Sequence, residues 1–195
     1  MTKVFIGGSR HVSRLSAPVR ARIDRIIEKE LPVIVGDANG ADKSVQTYLS
    51  KQHYLYVEVF CSGGSARNNV GGWQLRTIAA DSPRGTLDFY SAKDRAMAHE
   101  AGYGLMVWDG KSAGTLLNVF RLLTQHKKVA LYAGPEKRFI ELKAISHWDA
   151  FVSRYPAELR RKVELRASSE PNGTNRQPRS HASGQLVFQH MQEKL

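Results

Sequence analysis

The sequence predicts an α/β protein built on a doubly wound, mainly parallel sheet of about five to six strands, with a C-terminal helical segment and a tail. Three observations lead there. Short β-rich runs alternate with segments of helical period, which is the pattern of βαβ units. One run, Tyr103 to Trp108 (YGLMVW), is apolar throughout, as a strand covered on both faces must be. Three runs end in polar, glycine-bearing turns, VFIGGSR, VIVGDANGAD and VWDGKSAGT. In an open parallel sheet those turns share one edge, where ligands bind.

Taken in order, KVFIG (Lys3 to Gly7) is the first strand, and Ala17 to Glu30 is a helix with Val19, Ile23, Ile26 and Ile27 on one face. PVIVG (Pro32 to Gly36) is the second strand, Ala41 to Lys51 the next helix, and YVEVF (Tyr56 to Phe60) the third strand. The following stretch, CSGGSARNNVGGWQLRTIAADSPRGT, lacks clear periodicity and reads as a long loop, which in a compact domain is functional or disordered. Helical character returns over Leu87 to Ala101, before the apolar Tyr103 to Trp108 strand. Thr115 to Gln125 turns Leu116, Val119, Phe120 and Leu123 inward, and KVALY (Lys128 to Tyr132) is a fifth strand. RFIEL is a candidate edge strand, and SHWDAFVSRYPAELRRKVELR a terminal helix or a helix pair broken near Pro156. From Ala167 the composition is that of a linker or tail, ending in QLVFQHMQEKL, a docking helix or an adhesive end. The expected division is 1–145 for the sheet domain, 146–166 for the helical segment and 167–195 for the tail.

Length and composition bound the function. The chain has 195 residues, 42% of them hydrophobic, enough for one buried core. No apolar run approaches the roughly 20 residues of a membrane span, and the polar opening passes straight into a strand, so a cytoplasmic protein without a membrane partner is expected. A single cysteine, Cys61, excludes an internal disulfide and fits a reducing compartment. The histidines show no metal-ligand spacing, so neither a structural metal nor a cofactor is expected. The formal charge is +11, with 21 Lys/Arg against 14 Asp/Glu up to residue 149 and 8 against 4 beyond it. This spread excess supports an anionic partner without naming it and serves equally as a solubilising surface; with neither aromatic-basic interleaving nor a DNA-reading motif in the sequence, a phosphate-bearing small molecule is expected ahead of nucleic acid. A homo-oligomer is compatible with everything read so far.

Each turn has a bland and a functional reading. After the first strand, Gly7, Gly8 and Ser9 permit close backbone approach and Arg10 can fork onto phosphate oxygens, or the glycines simply make a tight turn. After the second, Asp37 or Asn39 caps a helix starting near Gly40, with Asp42 favoured by the helix dipole. Alternatively, these carboxylates accept bonds from ribose hydroxyls or a base edge. After the Tyr103 to Trp108 strand, Asp109, Gly110, Lys111, Ser112, Gly114 and Thr115 gather amides, a lysine and hydroxyls at a helix start, which suits a phosphate. The glycine and lysine spacing of a P-loop is absent.

Together with KDRAMAHEAGYGLMVWDGKSAGTLLNVFRLL and KKVALY, these loops resemble the SLOG superfamily. This Rossmann-like group includes the Lonely Guy hydrolases, molybdenum-cofactor carriers, the DNA-processing protein DprA and YspA-type proteins. The likeness runs from about Lys3 to Tyr132 and implies a Rossmann-like sheet with nucleotide-like ligands at the strand carboxyl ends. It further implies a ligand-contacting arginine at Arg95. DGKSAGTLLN stands where the hydrolases carry PGGxGTxxE, so Gly114 and Thr115 match its GT while Asn118 replaces the glutamate.

An amide cannot ionise, so the hydrolases' acid is missing at Asn118. Asp37, Asp42, Asp94 and Asp109 are substitutes, with Asp42 and Asp94 the candidate catalytic pair. Carboxylates around a ribose can break an N-glycosidic bond or merely hold the sugar. The leading expectation is therefore a nucleotide-binding protein with N-glycosidic hydrolase chemistry. The alternatives are a ligand sensor without turnover and a DprA-like nucleic-acid-binding protein. Trp73 is the preferred stacking residue over Trp108, which ends a core strand. The segment SGGSARNNVGG, with Arg67, Asn68 and Asn69, is read as a lid or a disordered loop. His99, one turn from Arg95, reads as part of a solvated face.

Overall fold

In the computed structural model, which describes residues 1–170, β1 (Val4–Gly8) leads through α1 (Ala17–Glu28) to β2 (Val33–Gly36), and α2 (Ala41–Lys51) leads on to β3 (Val57–Ser62). Then come β4 (Gln74–Ile78), α3 (Leu87–Glu100), β5 (Tyr103–Trp108), α4 (Ala113–Thr124), β6 (Lys128–Ala133) and β7 (Arg138–Leu142). Two helices close the described chain, α5 (Ile145–Val152) and α6 (Ala157–Ser168). The strands form a single sheet in the order β4-β3-β2-β1-β5-β6-β7, parallel except for β7, which runs antiparallel to β6. The chain winds outward from β1 to β4, then returns through α3 to lay β5 on the other side of β1. That reversal opens a crevice at the carboxyl ends of β1 and β5.

Strand alternation builds the two sides of the core. Val4, Ile6, Val33, Val35, Leu105 and Val107 face α1 and α2, where Val19, Ile23, Val45 and Leu49 meet them. Phe5, Ile34, Met106 and Trp108 point the other way, into a cluster with Met97 of α3 and Leu116 and Val119 of α4. Burial on both faces explains why these strands read as continuous apolar runs. Caps fix two helix starts: the Thr86 hydroxyl accepts from Phe89 N–H at 3.2 Å, and the Ser112 hydroxyl accepts from Thr115 N–H at 3.4 Å.

The sheet has seven strands rather than five to six. RFIEL is β7, as the pattern suggested, and the addition is β4, inside the segment read as loop. Its side chains are nearly all exposed, so it lacks the burial period that reveals a strand. Backbone pairing with β3 holds it, helped by Arg76, which donates to Glu58 at 2.9 Å. An edge strand carrying charge resists pairing with other chains.

The C-terminal helices break at Pro156, as read from sequence, and both pack on the sheet domain. Trp148, Phe151, Val152 and Val163 are buried, and Trp108 stacks edge-on against Phe151 and Tyr155 at centroid distances of 5.6 and 4.9 Å. The expected linker composition from Ala167 begins slightly too early, because α6 runs through Ser168 and Glu170 pairs with Arg121. The remainder of the tail, with QLVFQHMQEKL, lies outside the described residues. Among the described residues no helix is long and apolar enough to cross a membrane.

Trp148→Ala should cost about 3–5 kcal/mol, the usual range for emptying a large aromatic site. Urea unfolding is the measurement. A loss below about 1 kcal/mol would mean that α5 and α6 are not part of the cooperative unit.

Candidate functional site

A cleft of about 660 Å³ lies at the carboxyl edge of the sheet, between the turn after β1 and the start of α4. Gly7 and Gly8 form part of its floor, and Arg10 and His11 line it from the turn beyond them. Ser112, Gly114, Thr115 and Asn118 line the α4 side. Asp42 enters from α2, Tyr90, Lys93 and Asp94 from α3, and Lys162 and Arg166 from α6.

At the base, Lys93 is 4% exposed and surrounded by carboxylates. Its ammonium donates to Asp94 at 2.7 Å and lies 3.8 Å from Asp42 and 3.9 Å from Asp37. Burial works to lower the Lys93 pKa, yet the charges of Asp94 and Asp42 outweigh it and hold the amine above its ordinary value. Burial pushes Asp42 up to about 6, against the pull of Lys93. Asp94 faces the same burial, but Lys93 and Arg121 keep it below the ordinary carboxylate range. Gly36 makes the cluster possible: a Cβ there would come within 2.3 Å of the Asp42 carboxylate and 2.6 Å of the Lys93 ammonium.

Asn118 is a bridge. Its amide nitrogen donates to Asp94 at 3.3 Å, and its oxygen accepts from the buried Arg121 guanidinium, which also pairs with Glu170. An amide can donate to one neighbour and accept from the other, whereas a carboxylate only accepts. A carboxylate here would lose the bond to Asp94 and meet its charge instead.

Two other aspartates are engaged in holding loops. Asp109 accepts from the Ser9 hydroxyl at 2.7 Å and from the Lys111 and Ser112 amides at 3.0 and 2.8 Å, clamping the turns after β1 and β5 together. These bonds outweigh burial and lower its pKa. Asp37 takes a fork from Arg67, at 3.0 and 2.7 Å, which overcomes burial in the same way. The segment read as a lid or a disordered loop is thus tied down. Asn68 donates to the Asp37 carbonyl and to Asn39, and buried Gln46 holds both the Gly36 carbonyl and Val70 N–H.

Among the expected residues, Gly7, Gly8, Arg10, Asp42, Asp94, Asp109, Lys111, Ser112, Gly114, Thr115 and Asn118 all line the cleft. Ser9, Asp37 and Asn39 stand behind it as braces. Gly40 faces a neighbouring groove and takes a φ of +82°, with Arg10 backbone where a Cβ would sit. Gly110, at a φ of +87°, shapes the turn below Lys111. Arg95 differs from expectation: it bonds Asp88 at 2.7 Å, lies 3.9 Å from Glu170, and is not part of the lining. Trp73 also differs, since its indole donates to the Tyr54 carbonyl at 2.9 Å and packs on the α1/α2 core. The aromatic rings lining the cleft are Phe5 and Tyr90, and the Arg67 and Arg10 guanidiniums lie 4.5 and 5.4 Å from the Tyr90 centroid.

Lys93, Tyr90, Lys162 and Arg166 escaped the sequence reading. Lys93 left one trace, a charge at the apolar helical spacing of Phe89, Ala92 and Met97. Nothing local marks Lys162 and Arg166, which reach the cleft only because α6 packs on α4. Among the described residues, Arg10, Lys111, Lys162 and Arg166 have no carboxylate within salt-bridge distance. The Ala113 and Gly114 amides at the start of α4 likewise have no protein acceptor there. Such a lining can hold an anion. No group of three or more His, Cys, Asp or Glu suited to a metal occurs among the described residues.

No protein-family model matches the chain, and no curated protein matches it at a significant level. A solved structure of DNA processing protein A from Helicobacter pylori, described for its single-stranded DNA binding mode, is similar in fold. The TM-score is 0.53 at 13% identity, covering 84% of this chain and 79% of that one.

Lys93→Met should lower stability by about 3–5 kcal/mol near neutral pH, because it strands buried carboxylates without their counter-charge. The pH dependence gives a sharper check. In the native protein, the lowered pKa values of Asp37 and Asp94 add stability above the ordinary carboxylate range, and that stability is lost on acidification. Without the ammonium, the folded-state pKa values of Asp42 and Asp94 rise, so stability is present at low pH and lost as pH climbs. Melting temperatures from about pH 5 to 8 should therefore fall with pH in the variant; a flat profile would contradict the cluster's role.

Proposed function

We propose that this cleft binds the nucleotide units of single-stranded nucleic acid, in a Rossmann-like protein of the SLOG type. One observation carries the reading: four cations from three separate segments, Arg10, Lys111, Lys162 and Arg166, line one cleft without carboxylate partners among the described residues. Phosphate is the anion that suits them, because the free amides of α4 lie on the same wall and the helix dipole adds to their attraction. Tyr90 stands beside that wall with the Arg67 and Arg10 guanidiniums 4.5 and 5.4 Å from its ring centroid, an aromatic and cationic pairing that suits a nucleotide strand. The overall charge of +11 draws in a polyanion at long range. The fold likeness to a protein described for binding single-stranded DNA supports the same choice.

A second reading has its own observation. Asp42 is a buried carboxyl with a pKa of about 6 that lines the cleft, the tuning a general acid needs near neutral pH. N-glycosidic hydrolysis of a nucleotide would use it to protonate the departing base. Asp94, fixed between Lys93 and Asn118 and held ionised, would stabilise positive charge at the sugar.

Fluorescence anisotropy with a labelled oligonucleotide tests the first reading. Affinity should fall with salt, and Lys162→Ala/Arg166→Ala should reduce the slope of log affinity against log salt by about 1.4, from 0.7 per single-strand phosphate contact. Gly114→Val, whose side chain would enter the cleft with only the Ser112 hydroxyl at 3.9 Å, should weaken binding while the protein stays folded. Salt-independent binding, or none, would end this reading.

Acidification through about pH 6 should tighten the complex, because protonating Asp42 removes a negative charge from the base of the cleft. A phosphodiester does not titrate there, and the Asp42 share of the effect should vanish in Asp42→Asn. Chromatography of incubations with nucleoside monophosphates decides the second reading. Base release that declines above about pH 6 and disappears in Asp42→Asn would establish a hydrolase; no release from a broad panel would dismiss it.

A further inference from the structure

Next to the cleft lies a second groove of about 530 Å³, formed by the segment before α1, by α1 itself and by the exposed face of α2. Arg14, Arg20, Lys43 and Lys51 line it, together with the hydroxyl-bearing Ser44, Thr47 and Tyr48. No carboxylate lies within salt-bridge distance of any of these four cations among the described residues. Asp24, the nearby acid, accepts instead from the Tyr48 hydroxyl at 2.6 Å. Arg20 is anchored through the Leu15 carbonyl at 2.6 Å, while Arg14, Lys43 and Lys51 are exposed.

The two depressions share a wall. The turn after β1 places Arg10 and His11 in the cleft, and Ser13, Arg14 and Leu15 in the groove. That turn is pinned on α2: the Ala41 amide donates to the Ser9 carbonyl at 3.0 Å, and the Ser44 hydroxyl donates to the Val12 carbonyl at 3.2 Å. Gly40 lets the chains meet there, since a Cβ would fall 2.3 Å from the Arg10 carbonyl. The wall is therefore fixed, and cations line both of its sides.

We propose that the groove carries the backbone of a nucleic-acid strand onward from the nucleotide seated in the cleft. The chemistry it recognises is a run of phosphodiesters rather than a base. Its cations and hydroxyls suit phosphate oxygens: four cations and the hydroxyls of Ser13, Ser44 and Thr47 line it, against one aromatic ring, Tyr48, among the described residues. Acidic peptides and anionic lipid surfaces match the charge, but neither has a reason to continue from the cleft. The inference rests on the nucleic-acid reading of the cleft and adds a prediction about length: strands long enough to cross the shared wall gain affinity, and short ones do not.

Oligothymidylates of about 4 and about 16 nucleotides, the range of compact single-strand sites, provide the test. The intact protein should bind the longer strand more tightly and with a steeper salt dependence. Lys43→Ala/Lys51→Ala, which removes two exposed charges outside the cleft, should cost the longer strand roughly 25-fold near 0.1 M salt, from 0.7 per phosphate in the log slope. Binding of the short strand should not change. Equal affinity for both lengths in the intact protein, or a double variant that still favours the long strand as before, would overturn the groove while leaving the cleft reading in place. Failure of both lengths to bind would overturn the cleft reading, and the groove's extension with it. Binding to phosphatidylserine vesicles that the double variant loses, with strand affinity unaffected, would assign the groove to a membrane surface and overturn the proposal.

Discussion

The ammonium of Lys93 is the charge around which this molecule is arranged. It is buried at the switch point of the sheet, on α3, and three carboxylates approach it: Asp94 from the same helix, Asp42 from α2 and Asp37 from the end of β2. A lone buried charge of either sign would cost several kcal/mol, so the four groups tolerate burial only together. Their mutual dependence draws in the surroundings. Gly36 has to be without a side chain, Arg67 has to reach Asp37 from the glycine-rich segment, and Asn118 has to present its nitrogen to Asp94. From Asn118 the chain of contacts continues through Arg121 to Glu170, beyond the end of α6.

This network separates residues that face the cleft from residues that hold it. Asp37 and Asp109 are saturated by guanidinium, hydroxyl and amide donors, so they fix loops and have little accepting capacity left. Asp42 is less completely satisfied, with one amide bond from Ala38 at 3.2 Å and the distant ammonium. Burial raises its pKa, and these two contacts do not offset it. Above Asp42 the lining turns basic, with Arg10 and Lys111 on the turns after β1 and β5 and Lys162 and Arg166 on α6. An acidic base under a cationic lining gives the cleft polarity along its depth, with Asp42, Asp94 and Lys93 at the bottom and Arg10, Lys111, Lys162 and Arg166 around them.

The amide at Asn118 has a structural role that the sequence does not reveal. In the sequence it reads as a lost acid. In the fold it completes a donor and acceptor relay between Asp94 and Arg121, in which glutamate would be repelled by the carboxylate it faced. The binding expectation needs no acid at all, because its groups are amides, cations and a phenol ring.

The sequence by itself determined the alternation of helices with the parallel core strands and the edge on which the polar turns gather, because these follow from local periodicity and from turns that must sit at strand ends. It placed eleven of its expected site residues on the cleft lining for that reason. It missed β4, whose exposed side chains carry no period, and assigned Arg95 and Trp73 to a ligand when Asp88 and the Tyr54 carbonyl hold them. Only the tertiary structure decided the rest. Lys93 finds its partners across three elements, Tyr90 enters the cleft from α3, and Lys162 and Arg166 reach it from α6, at the far end of the described chain from β1. Periodicity says which face of a helix is buried, but it holds no information about which distant surface that face meets, and charge pairing depends on that meeting.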